Sequence, residues 1–441
     1  MKNITLKLVV CLASVLVLTS ARGQANYTTP YTFITIAGDG QYGLADGTNR
    51  NAEFCWPWGV TMDSQSNLFV ADEARHDIRM VTPVGTNWVI TTIAGSGLSG
   101  SADGIGTNAQ FGNMCAITAS TDGNLYALSG DQGTIRKITL VGTNWVVSTI
   151  SGTNGIGWMG TNGIGFFASP QAITSDSTGN LYVVDTTGCA IYRVTPVGTN
   201  WVVSLVAGTP WQYGYSDGTN NNAIFYDPEG IAVDTHSNLY VADWYNCVIR
   251  KITPAGTNWV VNTIAGTRWQ YGEALGEADG IGTNALFTFP VGITVDPQGN
   301  LFVTDERNCI RKLTLVGTNW VVSTVAGIAG LSGNTDGTGT NALFYNPYGI
   351  VADSTGRLFV GDVNNHVIRM GWNPSKLTLT EITANNLVVS WPATGCTLQY
   401  TENFSAGWTD YNSGATSTSN GINFLTFPPV KSPMFFRLAY P

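Results

Sequence analysis

Short apolar runs separated by polar turns repeat along most of the chain, the pattern of short strands rather than of helices. One copy shows the unit clearly. Gly230-Ile-Ala-Val-Asp234 is a short apolar run, and Asn238-Leu-Tyr-Val-Ala-Asp243 follows after a polar turn. Val248-Ile-Arg-Lys-Ile-Thr253 comes next, and past a Pro-Ala-Gly-Thr-Asn turn lies Trp259-Val-Val-Asn-Thr-Ile-Ala-Gly266. Turns rich in Gly, Asn and Pro between such runs are a β signature.

The unit recurs six times with a period of about 57 residues. A Trp after Gly-Thr-Asn marks five copies: Trp88, Trp145, Trp201, Trp259 and Trp320. An arginine after Ile or Tyr recurs at Arg79, Arg136, Arg193, Arg250, Arg311 and Arg369. A single four-stranded unit cannot bury both of its faces, so units must stack. Six such units predict an all-β fold, a six-bladed β-propeller around a central channel, spanning residues 31–372. Tyr31-Thr-Phe-Ile-Thr-Ile-Ala-Gly38 matches only the fourth strand of a copy, and the last copy stops at its third strand, Val367-Ile-Arg-Met370. The N-terminal strand is therefore expected to complete the last blade, lock the ring and remove the open sheet edge.

Asp72…His76-Asp77-Ile78-Arg79 and Asp362-Val-Asn-Asn-His366-Val-Ile-Arg369 resemble the Asn-His signature of NHL repeats, as do the preceding Pro-x-Gly-Ile-x-x-Asp and Asn-Leu-Tyr-Val-x-Asp elements. The resemblance implies the fold more than an activity, since one fold hosts many functions. The second copy departs from the pattern at Ser129, and the third lacks the Ala-Asp-Gly element. Residues 375–441 lack the repeat. Leu387-Val-Val-Ser-Trp391, a following Pro, and Leu398-Gln-Tyr400 resemble part of a fibronectin type III or immunoglobulin-like module, so a small C-terminal β-sandwich-like domain is expected there.

Residues 1–23 read as a signal peptide: Lys2 and Lys7, an apolar run from Leu8 to Leu18, then Ala21-Arg22-Gly23. The run is too short for a membrane span and no other stretch is long enough, so a secreted or periplasmic location without an integral span is expected. The net charge of −9 disfavours nucleic acid, whose binding rests on cationic side chains. Cys189, Cys247 and Cys309 fall at equivalent positions of successive copies, too far apart to be bridged, so unpaired thiols are expected, with Cys55–Cys115 left open.

The copies differ where an asymmetric ligand would need them to. The residue before the inner-strand Gly or Ala should ring the channel mouth, and its occupants are Trp58, Cys115, Gln171, Glu229, Val291 and Tyr348. Neighbouring loops supply Arg75, Trp244, Tyr245 and Arg307. From these sets Trp58, Arg75, Gln171, Glu229, Trp244, Tyr245, Arg307 and Tyr348 are the candidate ligand-binding residues, on a loop-rich face suited to a carbohydrate or a protein. Gln-Tyr-Gly at 41–43, 212–214 and 270–272, twice preceded by a Trp (Trp211, Trp269), adds aromatic rings on that side, which either stack on sugars or staple the loops to the blades.

The resemblance also admits exported lyases, lactonases and hydrolases with a metal at the channel. Only His76, His236 and His366 exist, and they fall on two different faces, so they cannot share one zinc ion. No serine-nucleophile, paired-carboxylate or phosphate-cradling motif stands out. Structural calcium in the Asp-Gly loops stays open, since they supply hard oxygen ligands. The expected function is non-catalytic binding; the alternatives are a lyase or hydrolase site built around Glu229 and a structural surface component.

Overall fold

The computed structural model describes residues 29–151, 167–269 and 276–373, and beyond them the backbone of the strands between 378 and 439. The signal-peptide reading, Cys396 and the third Gln-Tyr-Gly lie outside the described residues. Pro30–Trp372 form one compact unit. It contains six antiparallel sheets with the first strand of each at the axis, and its only helical pieces among the described residues are single 3-10 turns.

In blade 4 the strands run from Pro228–Val233 at the axis through Leu239–Asp243 and Val248–Ala255 to Asn258–Ala265. The ring closes as the sequence predicts. Thr32–Ala37 pairs antiparallel with Val367–Trp372, Thr32 opposite Trp372 and Phe33 opposite Gly371. The Gly-Thr or Gly-Ile dipeptide of the Asp-Gly loops adds a short fifth strand outside the fourth in five blades, for example Gly218–Thr219 on Val260 and Val261. The sequence pattern indicates four strands, because a two-residue strand is too short to show alternation.

The repeated tryptophans fasten neighbouring blades. Each packs edge-to-face on an aromatic ring of the preceding blade's second strand: Trp88 on Phe359 at 5.8 Å, Trp145 on Phe69 at 5.7 Å and Trp320 on Tyr240 at 6.0 Å. In blade 6, Tyr31 takes the tryptophan's place, against Phe302 at 5.4 Å. Trp88 is almost fully buried. Trp88→Ala is therefore expected to lower the unfolding free energy by about 3–5 kcal/mol, as large-to-small core changes do. A shift below about 1 kcal/mol in urea unfolding would show that this contact is dispensable.

A buried arginine organises the outer half of five blades. The Arg250 guanidinium stacks on Phe225 with its carbon 4.9 Å from the ring centre, and it donates to Asp243 and Asp217, both at 2.8 Å, and to the Ser216 and Ile224 carbonyls. Arg79, Arg136, Arg311 and Arg369 repeat the stacking on Phe54, Phe111, Phe287 and Phe344, and Arg79 and Arg369 also repeat the buried pair, with Asp72 and Asp362. The Asp-Gly loops are thereby tied down along the blade, their aspartates accepting from arginine and threonine side chains. Blade 3 corrects the sequence register. Tyr192, not Arg193, stands opposite Val183 as Arg250 stands opposite Val241, and the Phe167 ring meets Tyr192 at 5.6 Å.

All five described cysteines are free and buried, so no Cys55–Cys115 bridge forms. The Cys55 thiol donates to the Gly43 carbonyl at 2.8 Å and Cys115 to the Pro170 carbonyl at 3.0 Å. The second unit contributes two antiparallel sheets. One is ordered Thr378–Ile382, Leu387–Pro392, Ile422–Phe427, Ser417–Ser419, and the other Thr409–Asp410, Thr397–Thr401, Phe435–Ala439.

Candidate functional site

Inner strands converge so tightly that side chains below the mouth are reduced to Gly and Ala. A Cβ on Gly230 would lie 2.0 Å from the Val291 carbonyl oxygen, and one on Gly292 would lie 2.0 Å from that of Tyr348. Above this constriction stand Trp58, Cys115, Gln171, Glu229, Val291 and Tyr348, and below it a ring of Val and Ile. The cavity they line is ≈ 80 Å³, well short of the roughly 300 Å³ at which small-molecule pockets begin.

Within this ring the Tyr348 hydroxyl donates to the Glu229 carboxylate across the mouth, joining blade 6 to blade 4. Tyr348 also leans on Trp58, ring centres 4.4 Å apart. Burial pushes the Glu229 carboxyl from its ordinary 4.5 up to about 7, against the opposing pull of the Tyr348 hydrogen bond. The Tyr348 phenol is raised well above its usual value, first by burial and then by the neighbouring Glu229 charge. Three candidate residues thus lock one another and plug the axis. Gln171 completes the lining without entering the lock. The ring does not suit a metal, having one carboxylate that is already engaged. Among the described residues no three His, Cys, Asp or Glu side chains gather as an ion site.

The loop candidates are largely held in place. Arg75 is paired to Asp77. The Trp244 indole N–H donates to Glu306 at 2.9 Å, and its ring stacks on Phe289 at 4.4 Å while packing against Val291, Tyr348 and Val363. Arg307 is half-buried, and its backbone carbonyl accepts from the Gly330 N–H at 2.8 Å. Tyr245 stacks on Tyr226 at 4.0 Å and 27°, and Tyr226 leans on Tyr213 at 5.0 Å. Trp269 meets Tyr245 edge-on at 5.2 Å, a staple, whereas Trp211 and Tyr213 remain 61% and 68% exposed. Tyr226, Asp227 and Phe289 also belong to this region. Their repeat positions, just before the inner-strand Pro, were the only signal for them.

The two signature histidines end their loops in the left-handed conformation, φ 54° at His76 and 55° at His366. The His76 ring nitrogen Nδ1 lies 3.0 Å from the Gly112 carbonyl of the next blade. His236 sits in a strand-one-to-two turn on the opposite face. Residues 287–309, from the entry of blade 5 to the end of its second-to-third-strand loop, match the family model described as NHL repeat. The domain is a six-bladed β-propeller that carries an NHL-repeat match in its fifth blade. NHL repeat-containing protein 2 of Homo sapiens is 28% identical over 71% of the chain and 46% of its own length. The chain thus spans less than half the length of the curated relatives it matches.

Two solved structures share this propeller fold. A Bacteroides thetaiotaomicron protein of unknown function matches with a TM-score of 0.57 at 23% identity, over 77% of this chain and 75% of its own. An auxiliary nutrient binding protein from the same species matches with a TM-score of 0.57 at 18% identity, over 80% of this chain and 78% of its own. No helix among the described residues is long and apolar enough to cross a membrane.

Proposed function

We propose that this NHL propeller is an exported, non-catalytic binding protein that holds a carbohydrate or protein ligand on its loop-rich face. The observation that carries the reading is the plugged axis beside an open aromatic face. Glu229, Tyr348 and Trp58 fill the channel mouth, while Trp211, Tyr213, Trp56 and Tyr42 stand in solvent on the same side. The fold's occurrence in an auxiliary nutrient binding protein is in keeping with binding. The C-terminal β unit would serve attachment or spacing.

Thermal melting of the full chain against a panel of oligosaccharides, with calcium and with chelator, tests this. A ligand of the folded state at a hundredfold excess over its Kd adds about 2.7 kcal/mol. A shift abolished by loop-face substitutions and untouched by changes to the hairpin tips beside Trp88 is expected. Loss confined to the Trp88 face would refute the assignment.

One observation favours a second reading. A buried glutamate raised to about 7 and hydrogen-bonded to a tyrosine has the poise of a general acid. A lyase or hydrolase built on it would lose turnover in Glu229→Gln, and turnover that survives this change excludes it.

A further inference from the structure

The loops leading into blades 1, 2, 4 and 6 each run to an aspartate that binds the blade's arginine: Asp46, Asp103, Asp217 and Asp336. Six residues before it stand Gly40, Gly97, Trp211 and Gly330. All four are left-handed, with φ of 86°, 76°, 68° and 76°. Three loops thus use glycine where the backbone demands it, and the fourth uses the bulkiest residue available. A large L side chain at positive φ is a genuine outlier.

Folding gains little from this exchange, because the Trp211 ring is 61% exposed. The loop nevertheless holds it firmly. Trp211 N–H donates to the Gly188 carbonyl at 2.9 Å, Gln212 N–H to Thr209 at 3.0 Å and Gly214 N–H to Phe225 at 2.9 Å. Local strain kept in place by well-formed surroundings is a feature of functional positions.

Two residues on, Tyr213 presents a second exposed ring, braced from behind by the Tyr226–Tyr245 stack. Beside Tyr226 lies Asp227, half-buried at φ 47°. Burial raises its carboxyl, and among the described residues no cation or hydrogen-bond donor opposes the shift. A purely apolar partner would leave that carboxylate unsatisfied. An anionic one would meet Asp227, Glu229 and Glu306 together. Ring faces beside a carboxylate with no partner among the described residues suit a neutral polyol with apolar C–H faces.

We propose that Trp211, Tyr213 and Asp227 form an off-axis glycan platform, the two rings stacking on equatorially hydroxylated pyranose units and Asp227 accepting a hydroxyl hydrogen. This rests on the binding-face reading above and places the ligand at the rim of blade 4 rather than over the channel.

The test is titration of the full chain with cellohexaose, followed by calorimetry and indole fluorescence, on wild type, Trp211→Gly and Tyr213→Ala. Wild type is expected to bind. Trp211→Gly, which restores the residue of the other three loops, should weaken binding at least tenfold, and its melting temperature should stay level or rise. Tyr213→Ala should weaken binding similarly. Equal affinity of wild type and Trp211→Gly would overturn the platform while leaving a binding face intact elsewhere. A fall in the melting temperature of Trp211→Gly would make Trp211 a structural residue and overturn the argument from strain. Absence of any binding to wild type would overturn the sugar class, with the wider panel deciding separately whether the face binds at all.

Discussion

Arg250→Met will destabilise the propeller by about 3–5 kcal/mol, because it leaves the fully buried Asp243 carboxylate without its counter-ion. Asp217, at 43% exposure, contributes less to the loss, since solvent screens its pair with Arg250. The experiment is urea unfolding, read as a midpoint shift at constant slope. A loss under about 1 kcal/mol would mean that uncharged donors already satisfy Asp243: the Tyr226 backbone N–H lies 2.9 Å from one oxygen, and the Asn246 side-chain Nδ2 reaches the other.

The third blade shows how the cation can be dispensed with. It carries Tyr192 in the arginine's place and, eleven residues before its inner-strand Pro170, Met159 where the other copies carry aspartate. Its buried Asp185 accepts instead from the Ala168 and Ser169 N–H groups, at 2.9 and 2.8 Å. Arginine and loop aspartate are thus absent together from this copy. The double variant Arg250→Tyr with Asp217→Met is accordingly expected to be more stable than Arg250→Met alone, and equal stability would argue against coupling within the pair.

The second large effect is on pH. The Glu229 carboxyl is raised in the folded state, from 4.5 to about 7, chiefly by burial. A carboxyl raised on folding favours the protonated form, so its contribution is fully present below 4.5 and disappears as pH climbs through about 7. At about 1.4 kcal/mol per unit the difference comes to about 3.5 kcal/mol. Other buried carboxylates rise too, Asp72 to about 7 and Asp362 to about 6, each chiefly through burial. The informative quantity is therefore the difference between wild type and Glu229→Gln. Between pH 4.5 and 8 wild type should lose up to about 3 kcal/mol more than the variant. Parallel profiles would show that Glu229 is solvated and that the axial plug is not closed.

Much of the architecture was legible because a repeat encodes it locally. Every copy carries the same short apolar runs and the same kind of glycine turn, and each contacts only its neighbours. The recurring Trp and Arg sets therefore marked positions that nearly every blade keeps, and in the structure the first pack blade against blade and the second pair within blades. Tyr31–Gly38 announced ring closure because it matches a fourth strand that lacks its first three. Equivalent spacing of Cys189, Cys247 and Cys309 likewise argued for free thiols.

The mouth positions were also legible as a set, since they are where otherwise similar copies diverge. Their state was not. Glu229 and Tyr348 are separated by 119 residues, and only closing the ring brings them within a hydrogen bond. That contact turns two apparent ligand contacts into a plug. Trp244 reads as an open aromatic until the fold sandwiches it between Phe289 and the Val291–Tyr348–Val363 cluster.

The sequence by itself determined six all-β blades, their closure and the residues that hold them, because these depend on period and nearest neighbours. The tertiary structure alone decided which aromatic rings remain free, and it did so through backbone torsion and burial, neither of which a residue's identity reveals. Trp211 and Trp269 sit in the same Trp-Gln-Tyr-Gly motif. One is folded against Tyr245, and the other is held out in solvent at a torsion that three sister loops give to glycine.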